Sequence, residues 1–519
     1  MLIGRLLGGF GHRWLRGGSD PGIGSLEVTG ITHDSRQAGP GVLFVAIRGA
    51  RADGLAFAHE AVARGAAAIV TGPGREGAPE LDRLARVIEV EDERAALAVM
   101  ARELHGRPDE KLRMVGVTGT NGKTTTCRIL EEMLVAAGVG CGVLGTVSYR
   151  LGGEEIAADR TTPEAPDIHR FLDRMIEAGC GACVMEVSSH SVALKRVHGI
   201  GFEVAVFTNL TREHLDYHRD MESYYQAKAA LFETLGPQAT AVINIDDSWG
   251  ARLASELGGG GERRQWPKRI TFGTSSAATI GIAAMETGAS GLRLTLAAPE
   301  GRFDLTSPLV GRPNGYNVAA AAAAARAMRI DWDAVTAGAA AVSHVPGRME
   351  KVGDQDFTVI VDYAHKEEAL RSLLETVRGI TAGRVIVVFG CGGDRDRTKR
   401  PLMGAHAARL GDVVFVTSDN PRSEKPEAII EEIMAGVEEA RAGAGKGGTI
   451  GEVHVQPDRR KAIEAAIKAA RPSDTVVIAG KGHETYQIIG NRVVPFDDRV
   501  VALEALGRLG RRTGTDGSA

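Results

Sequence analysis

The sequence predicts an α/β protein of three domains, and three observations support this fold class. The chain has 519 residues, more than one hydrophobic core usually holds. Near-continuous apolar strands alternate with helical patterns, as in parallel sheets that are covered on both faces. In addition, one strand runs through a glycine-rich turn into a helix at residues 114–126. We place the domains at residues 1–111, 112–345 and 346–519.

The composition argues against several classes of function. The formal net charge is −4, so no overall basic field favours nucleic acid or an anionic membrane. Five cysteines in a chain of this length do not make a disulfide framework, which indicates a reducing compartment. The amino-terminal stretch MLIGRLLGGFGHRWLRGG lacks the apolar run of a signal peptide. We therefore expect a cytoplasmic protein without stable membrane insertion.

The first domain is predicted to be a small α/β domain. The strands GVLFVAI and AAAIVTG flank the alanine-rich helix GLAFAHEAVARG. The polar stretch GRPDEKLR then precedes a new apolar strand, and this change in composition predicts a domain boundary.

The second and third domains each contain several predicted parallel strands. ACVMEVSS, VAVFTN and TAVINI belong to the second domain, and RVIVVFG, DVVFVTSD and DTVVIAG to the third. Ligands bind beyond the carboxyl ends of such strands. The tetrapeptide Asp419-Asn420-Pro421-Arg422 follows one of them. By itself it is typical of a polar turn, but its place at a strand end favours a functional role.

The segment MVGVTGTNGKTTT (114–126) predicts a phosphate-binding loop. Glycines let backbone N–H groups converge on phosphate oxygens, and the start of the following helix adds positive potential. Lys123 can reach the terminal phosphates of ATP, and the Thr124 hydroxyl can bind Mg²⁺. A turn without a ligand would explain the glycines but not a Lys-Thr pair at the helix start. Val117 stands where the common motif has its first glycine.

This variant loop, TGTNGKTT, resembles that of the Mur ligase family, which includes the peptidoglycan stem-peptide ligases and folylpolyglutamate synthetase. Further segments resemble the family in the same order, and the resemblance covers about residues 26–505. They are ITHDSRQAGPGVLFVAIRGARADG, MEVSSH, FTNLTREHLDYH, YYQAKAALF, LVGRPNGYNVAAAAAA, PGRMEKV and VDYAHKEEAL. The resemblance implies a UDP-binding first domain, a central P-loop ATPase domain and a C-terminal Rossmann-like domain.

Some residues suggest a role by themselves, and the resemblance implies more. Glu186 ends a buried strand, where a carboxylate is costly unless it meets a cation, and oxygen ligands suit Mg²⁺. Taken alone, His214 is typical of a core histidine and Lys228 of a surface lysine. The resemblance instead implies that Lys228 carries a carbamate (N6-carboxylysine). It implies catalytic roles for Lys123, Glu186, His214 and Lys228, and Mg²⁺ ligation by Thr124, Glu186, His214 and Lys228.

The resemblance also implies three sets of substrate contacts. ATP would contact Gly119, Thr120, Asn121, Gly122, Lys123, Thr124, Thr125, Asn317, Arg348, Asp362 and His365, with Asn314 and Tyr363 nearby. A UDP-MurNAc-dipeptide would contact His33, Ser35, Ala50, Arg51, Ala52, Thr161, Thr162, Ser188 and Arg196. The incoming amino acid would contact Arg395, Asp419, Asn420, Pro421, Arg422, Gly480 and Glu484. Two departures from the family pattern are Leu194 and the pair Lys366-Glu367.

The activity implied is ATP-dependent ligation of meso-diaminopimelate to the D-Glu side-chain carboxylate of UDP-MurNAc-L-Ala-D-Glu, in peptidoglycan precursor synthesis. The sequence Asp-Asn-Pro-Arg resembles the version in diaminopimelate-adding members, whereas lysine-adding members carry an acidic version without arginine. Alternatives are addition of L-lysine or another amino acid, folylpolyglutamate synthesis, a P-loop NTPase switch and a non-catalytic nucleotide-binding scaffold. A switch does not require the polar clusters of the third domain. We expect a monomer acting on small molecules.

Overall fold

A computed structural model describes residues 1–8, 11–16, 23–49, 52–75, 86–258, 267–353, 355–443 and 450–513. Within these residues the chain forms two compact units. Unit 1 comprises Met1–Ile280 and Ala320–Gly338, and unit 2 comprises Gly281–Ala319 and Ala339–Ala519. The predicted boundaries at 111/112 and 345/346 stay predictions.

The amino-terminal part of unit 1 contains a five-stranded sheet within the described residues, and helices lie on both of its faces. Its strands are β1 (His12–Arg16), β2 (Gly30–Thr32), β3 (Val42–Val45), β4 (Ala68–Thr71) and β5 (Val87–Val90), and its helices are α1 (Ile3–Leu7), α2 (Ala58–Ala63) and α3 (Glu93–Leu104). The order is β1-β5-β4-β3-β2, with β1 antiparallel to β5 and the others parallel. Asp92 caps α3 by accepting hydrogen bonds from two backbone N–H groups.

The central part of unit 1 contains a larger sheet that is mainly parallel. Its strands in unit 1 are β6 (Arg113–Thr118), β7 (Cys141–Leu144), β8 (Ser148–Arg150), β9 (Glu155–Ala157), β10 (Ala182–Glu186), β11 (Val204–Phe207), β12 (Thr240–Asn244) and β13 (Lys268–Gly273). They lie in the order β13-β12-β11-β6-β10-β7-β8-β9, with β8 and β9 antiparallel. β6, which enters the phosphate loop, pairs with β10 and β11.

The helices of this part connect the parallel strands, as the sequence predicts. They are α4 (Lys123–Ala136), α5 (Ala165–Glu177), α6 (Ser189–Ala193), α7 (Leu215–His218), α8 (Met221–Glu233) and α9 (Ser248–Glu256), and α10 (Arg312–Ala327) and α11 (Trp332–Ala341) follow later in the chain. One continuous apolar core contains residues of α5 and α8 together with β10 and β11. Cys180 and Cys183 are buried free thiols.

Unit 2 begins with an antiparallel meander of β14 (Ile280–Gly288), β15 (Gly291–Ala298) and β16 (Gly301–Ser307). Its main sheet has the order β17-β18-β22-β19-β20-β21, formed by β17 (Glu350–Lys351), β18 (Thr358–Asp362), β19 (Val385–Phe389), β20 (Val413–Val416), β21 (Glu452–Val455) and β22 (Thr475–Ala479). All neighbours in this sheet are parallel except β17 and β18.

Helices cover both faces of this sheet. The helices α12 (Glu367–Ile380), α13 (Lys399–Leu410) and α14 (Pro426–Gly443) pack on one face, and α15 (Arg459–Ala469) and α16 (Asp498–Thr513) pack on the other. A hairpin of β23 (Tyr486–Ile489) and β24 (Arg492–Pro495) follows β22. This doubly wound arrangement confirms the Rossmann-like prediction for the third domain and places polar residues at the carboxyl ends of β18, β19, β20 and β22. Among the described residues, no helix is long and apolar enough to cross a membrane.

Candidate active site

The predicted phosphate loop lies between β6 and α4 in unit 1. Gly119 and Gly122 have φ values of 150° and 87°, a region that favours glycine. A Cβ atom at Gly119 would lie 1.9 Å from the Thr208 hydroxyl, so a side chain there does not fit. The Asn121 backbone N–H donates to the Asn209 side chain at 2.9 Å, and the Thr208 hydroxyl donates to the Asn121 carbonyl at 2.7 Å. The loop is therefore held in one conformation at the start of a fourteen-residue helix.

Lys123 lies over the same loop. Its ammonium donates to the carbonyl oxygens of Gly119 and Thr120, both at 2.8 Å. The Thr120 side chain is within 3.2 Å of the Tyr224 hydroxyl. The Thr125 side chain, in the first turn of α4, is buried. The positive charge of Lys123 thus lies beside the glycine-rich turn, as a phosphate-binding role requires.

Glu186 and Thr124 meet at the carboxyl end of β10. The Thr124 hydroxyl donates to Glu186 Oε1 at 2.9 Å, and the Thr146 backbone N–H donates to the same oxygen at 2.8 Å. The Thr146 hydroxyl donates to Glu186 Oε2 at 3.0 Å. Glu186 is only 1% exposed, and it forms no ion pair with the residues that the structure describes. A buried carboxylate with neutral hydrogen-bond donors and a neighbouring hydroxyl is an oxygen donor set suited to Mg²⁺.

Lys228 is buried within α8 and is not the surface lysine that the periodicity alone suggests. Its side chain is 1% exposed, its ammonium donates to the Gly119 carbonyl at 2.9 Å, and it lies 4.7 Å from the centroid of the Tyr224 ring. Burial, reinforced by the nearby charge of Lys123, holds the pKa of Lys228 well below its usual range. The interpretation from periodicity was wrong because α8 packs with this side chain directed towards the Gly119 carbonyl of the phosphate loop, and not towards solvent.

His214 immediately precedes α7. Both His214 and Lys228 lie close to the ring of Tyr224. The backbone at His214 is left-handed, with φ of 56°, and the His214 ring centroid lies 6.0 Å from that of Tyr224 and 5.0 Å from that of His190. In the described part of the chain, no three His, Cys, Asp or Glu side chains form a metal cluster. His214 is therefore brought to the neighbourhood of the loop, while its role as a ligand stays a prediction.

Several residues predicted to bind the UDP-linked substrate surround the carboxyl end of β10. The Thr146 and Thr161 hydroxyl oxygens lie 3.1 Å apart, and the Thr162 hydroxyl donates to the Glu186 carbonyl at 2.8 Å. Thr162 Oγ1 accepts from the Ser188 backbone N–H at 3.1 Å. Arg196 donates to the Thr162 carbonyl at 3.0 Å, so the four predicted residues of this region form one connected group.

The first-domain residues of the same prediction are less completely described. Ser35 donates to Glu60 Oε2 at 2.7 Å. Burial lowers the pKa of His33, a residue that also feels the charge of Glu164. The Ala52 carbonyl accepts from the Gly49 N–H at 3.0 Å. Ala50 and Arg51 lie outside the described residues.

In unit 2, the residues that the sequence assigns to ATP form a cluster around Tyr363. The Arg348 guanidinium lies 4.9 Å from the Tyr363 ring centroid, and the His365 ring lies 4.6 Å from it. Asp362 accepts from the backbone N–H groups of Met349 and Ala364 at 2.7 and 2.8 Å, and burial raises its pKa. Burial also lowers the pKa of His365 to about 4.

Two other predicted features also belong to unit 2. The Asn317 side chain donates to Asn314 Oδ1 at 3.0 Å on α10. The unusual pair Lys366-Glu367 starts a regular helix, since Lys366 has an extended backbone and α12 begins at Glu367.

The Asp-Asn-Pro-Arg turn is part of a hydrogen-bonded cluster that follows β20 and β22. Asn420 is 4% exposed, and its amide donates to Glu484 Oε2 at 3.0 Å, while its oxygen accepts from the Ile488 N–H at 2.9 Å. Arg422 has a left-handed φ of 52° and donates to the Gly393 carbonyl at 2.8 Å. These bonds are specific tertiary contacts, so the feature is more than a solvated turn.

The remaining members of this predicted set lie close by. Asp419 is buried, and a Cβ atom at Gly480 would lie 2.6 Å from Asp419 Oδ2, which explains the glycine there. Arg395 donates to the Asp394 carbonyl at 3.2 Å in the loop after β19. The Gly393 N–H of the same loop donates to the Asn420 carbonyl at 2.9 Å, and this bond joins the loop to the turn.

Sequence reasoning missed three residues of these sites. Thr146 holds Glu186, and Lys481 is a fully buried cation between Asn420 and Glu484. Arg459 forms a fully buried ion pair with Asp498 and donates to the Ala479 carbonyl at 3.0 Å, beneath the end of β22. The only sequence signal for Lys481 was its place between the predicted contacts Gly480 and Glu484, in the segment GKGHE (480–484), and Thr146 and Arg459 had none.

Comparison with known proteins gives a consistent result along the chain. Three models of the Mur ligase family match: its family catalytic domain at residues 27–105, its middle domain at 117–325 and its glutamate ligase domain at 347–482. The UDP-N-acetylmuramoyl-L-alanyl-D-glutamate–2,6-diaminopimelate ligase of Solibacter usitatus is 45% identical over 493 residues, covering 94% of this chain and 96% of that protein. The ligase of the same name from Gloeobacter violaceus is 47% identical over 485 residues, covering 93% and 94%.

Solved structures agree in fold. A structure of a UDP-N-acetylmuramoyl-L-alanyl-D-glutamate–2,6-diaminopimelate ligase matches with a TM-score of 0.68 and 33% identity, covering 93% of this chain and 95% of that one. A MurF ligase from Thermotoga maritima, in complex with ADP, shares the fold with a TM-score of 0.57 at 18% identity, covering 94% and 98%.

Proposed function

Because this chain belongs to the Mur ligase family, we propose that it is an ATP-dependent ligase that adds meso-2,6-diaminopimelate to UDP-MurNAc-L-Ala-D-Glu. The bond formed is an amide between the D-Glu side-chain carboxylate and an amine of diaminopimelate. The observation that carries the proposal is nearly full-length similarity to ligases of that name, at 45% and 47% identity. The product is a precursor of peptidoglycan, and we place the reaction in the cytoplasm, carried out by a monomer with the three domains at 1–111, 112–345 and 346–519.

The proposed reaction has two chemical steps. The γ-phosphoryl group of ATP passes to the D-Glu carboxylate, which yields ADP and an acyl phosphate. The amine then attacks the acyl carbon, the C–O bond to phosphate breaks, and the amine loses a proton as the amide forms. Such chemistry depends mainly on positioning and on neutralising charge at the phosphoryl group.

Lys123 and the phosphate loop supply part of the positive charge that neutralises the phosphoryl group. The Lys123 ammonium lies over the Gly119 and Thr120 carbonyls, at the start of α4, where backbone N–H groups and the helix dipole favour phosphate. The Thr124 hydroxyl and the Glu186 carboxylate would hold Mg²⁺, which would supply neutralisation of charge on the transferring phosphoryl group. Thr146 orients Glu186 for this role through two hydrogen bonds.

We propose that Lys228 acts as a carbamate. A neutral lysine amine adds to CO₂, forms an N–C bond and releases one proton, so the side chain becomes an anion. The lowered pKa of Lys228 favours the neutral amine that this addition needs. The carbamate and His214 are then further candidates to hold Mg²⁺.

The remaining contacts of the proposal follow the clusters described above. Thr161, Thr162, Ser188 and Arg196 hold the UDP-linked dipeptide, together with His33 and Ser35. Arg348, Asp362 and His365 contact ATP, and the turn 419–422 with Arg395, Gly480 and Glu484 binds diaminopimelate. The distal carboxylate of diaminopimelate suits the Arg422 guanidinium, and its distal ammonium suits Glu484.

A direct assay tests the proposal. The purified protein is incubated with ATP, Mg²⁺, UDP-MurNAc-L-Ala-D-Glu and either meso-diaminopimelate, L-lysine or no amino acid. Phosphate release and the mass of the product are measured. We expect the tripeptide product with diaminopimelate only. Phosphate release without any amino acid would favour an NTPase switch, and equal ligation of L-lysine would contradict the proposed specificity.

A further inference from the structure

Lys481 is a buried cation in the pocket proposed for the amino acid. It follows β22, and its side chain is fully buried. Its ammonium donates to Glu484 Oε2 at 3.0 Å and to Asn420 Oδ1 at 3.2 Å. It also lies 5.6 Å from the centroid of the Tyr486 ring. A charged side chain is retained in such a place only when partners compensate for the loss of water, so these contacts define its position.

These contacts fix the two polar side chains of the pocket at once. Asn420 Oδ1 accepts from both Lys481 and the Ile488 N–H, so the Asn420 amide must direct its NH₂ group to Glu484 Oε2, where the distance is 3.0 Å. Glu484 Oε2 consequently receives two hydrogen bonds. Among the described residues Glu484 Oε1 receives none, and the Glu484 side chain is 20% exposed. The carboxylate is therefore held by one oxygen, and the other is available to a ligand.

Lys481 also changes the charge of the pocket. Paired with Glu484, it cancels a negative charge that would otherwise attract any cationic side chain. The distal end of diaminopimelate carries an ammonium and a carboxylate and is neutral overall, whereas the distal end of L-lysine is a cation. In the proposed pocket, a neutral acid–base pair together with the Arg422 guanidinium matches the end group of diaminopimelate and does not attract the cationic end of L-lysine.

We propose that Lys481 is a positioning residue that sets amino-acid specificity: it orients Glu484 and Asn420 and cancels the charge of Glu484, so that the pocket selects a neutral amino–carboxylate end group. This inference rests on the proposed function and deepens it. The alternative is that Lys481 only stabilises the end of β22, in which case its loss affects all substrates alike.

Two substitutions separate these possibilities. Lys481→Met keeps an apolar stem of similar length and removes the charge, and Lys481→Gln keeps a donor without the charge. For Lys481→Met we expect KM for diaminopimelate to rise about tenfold or more, since a hydrogen bond to a charged group is lost. KM for ATP should stay within about twofold, and the preference for diaminopimelate over L-lysine should fall. Lys461→Met is a matched control, because Lys461 is an exposed lysine that pairs with Asp458 three residues away in the same unit.

A double variant tests whether Lys481 acts through Glu484. In the Glu484→Gln background, adding Lys481→Met should change KM for diaminopimelate by less than about threefold, because the partner of Lys481 is already neutral. If the two substitutions instead changed KM for diaminopimelate by independent factors that multiply in the double variant, the proposal would be overturned. So would an unchanged preference for diaminopimelate over L-lysine in Lys481→Gln, which serves in place of Lys481→Met if the latter does not fold. Failure of the wild-type protein to ligate diaminopimelate would overturn the proposed function itself, so the two failures are distinct.

Discussion

The side chains of Lys123 and Lys228 donate to the same acceptor, the carbonyl oxygen of Gly119, at 2.8 and 2.9 Å. Two ammonium groups on one oxygen repel each other, and the more buried of the two loses its charge more easily. Lys228 is 1% exposed, so it is the one expected to be neutral. One lysine then keeps the charge for phosphate, and the other keeps a free electron pair for reaction with CO₂.

This relationship predicts the behaviour of Lys228 variants. Lys228→Ala should reduce ligation by at least about 100-fold, because an anionic metal ligand is lost. A short carboxylate such as acetate should partly restore turnover in that variant, and the wild type should show a carbamate signal by ¹³C NMR in labelled bicarbonate. Full activity of Lys228→Ala would exclude the carbamate. Lys268→Ala is a control, because Lys268 is an exposed lysine of unit 1.

Loss of the Lys123 ammonium should leave a folded but nearly inactive protein. Lys123→Ala should lower kcat by roughly 10²–10³-fold or more, since the charge acts on the phosphoryl group in the transition state. Circular dichroism and thermal melting show whether the fold persists. Near-normal turnover in this variant would remove the phosphate-loop assignment.

Substitution of Glu186, or of Thr146, which is hydrogen-bonded to it, should change how the activity depends on the Mg²⁺ concentration. Glu186→Gln keeps the shape of the side chain but removes the negative charge, so activity should fall and the Mg²⁺ concentration for half-maximal rate should rise by about tenfold or more. Thr146→Val should cause a smaller rise, because it removes the hydroxyl bond to Glu186 Oε2 but keeps the backbone bond to Oε1. A Mg²⁺ titration of both variants checks the order, and an unchanged titration in Glu186→Gln contradicts the ligand role.

Arg422 should determine recognition of the distal carboxylate. We expect wild-type kcat/KM for meso-diaminopimelate to exceed that for L-lysine by roughly 10⁴-fold, as in sites that reject analogues lacking a polar partner. Arg422→Ala should raise KM for diaminopimelate far more than KM for ATP. Arg441→Ala, at an exposed arginine paired with Glu438, is the matched control. Equal kcat/KM values for the two amino acids in the wild type would show that residues 419–422 are only a turn.

The burial of His169 predicts that the folded protein loses stability in acid. Burial lowers its pKa to about 4, and its two ring nitrogens are buried without a hydrogen-bond partner in the described residues. The unfolded chain binds a proton near the ordinary histidine pKa and the folded chain does not, so stability falls as the pH drops from about 6.5 towards 4. The loss from this group is roughly 2 kcal/mol between about pH 7 and pH 5. His169→Leu should flatten the pH dependence of Tm in that range, and an unchanged slope would contradict this assignment.

The sequence was a good guide wherever a local pattern has one structural solution. Apolar strands such as RVIVVFG became β19, and the glycine-rich turn before Lys123 became a loop between a strand and a helix. The burial of Lys228 was not visible from periodicity, since it depends on how α8 is placed against the Gly119 carbonyl. The part played by Lys481 was equally hidden, because its partner Asn420 is 61 residues away in the chain.

The attachment of Arg422 to the hairpin β23–β24 has a consequence for how specificity can change in evolution or by design. The Arg422 N–H donates to the Ile488 carbonyl at 3.1 Å, and the Gly490 N–H donates to the Arg422 carbonyl at 2.7 Å. The left-handed backbone at Arg422 is thus maintained by a segment that begins more than sixty residues later. A tetrapeptide exchanged alone between homologues would keep the recipient's hairpin and lose the backbone that presents its side chains. A transferable specificity module is therefore discontinuous, and it must include both the turn and the hairpin that clamps it.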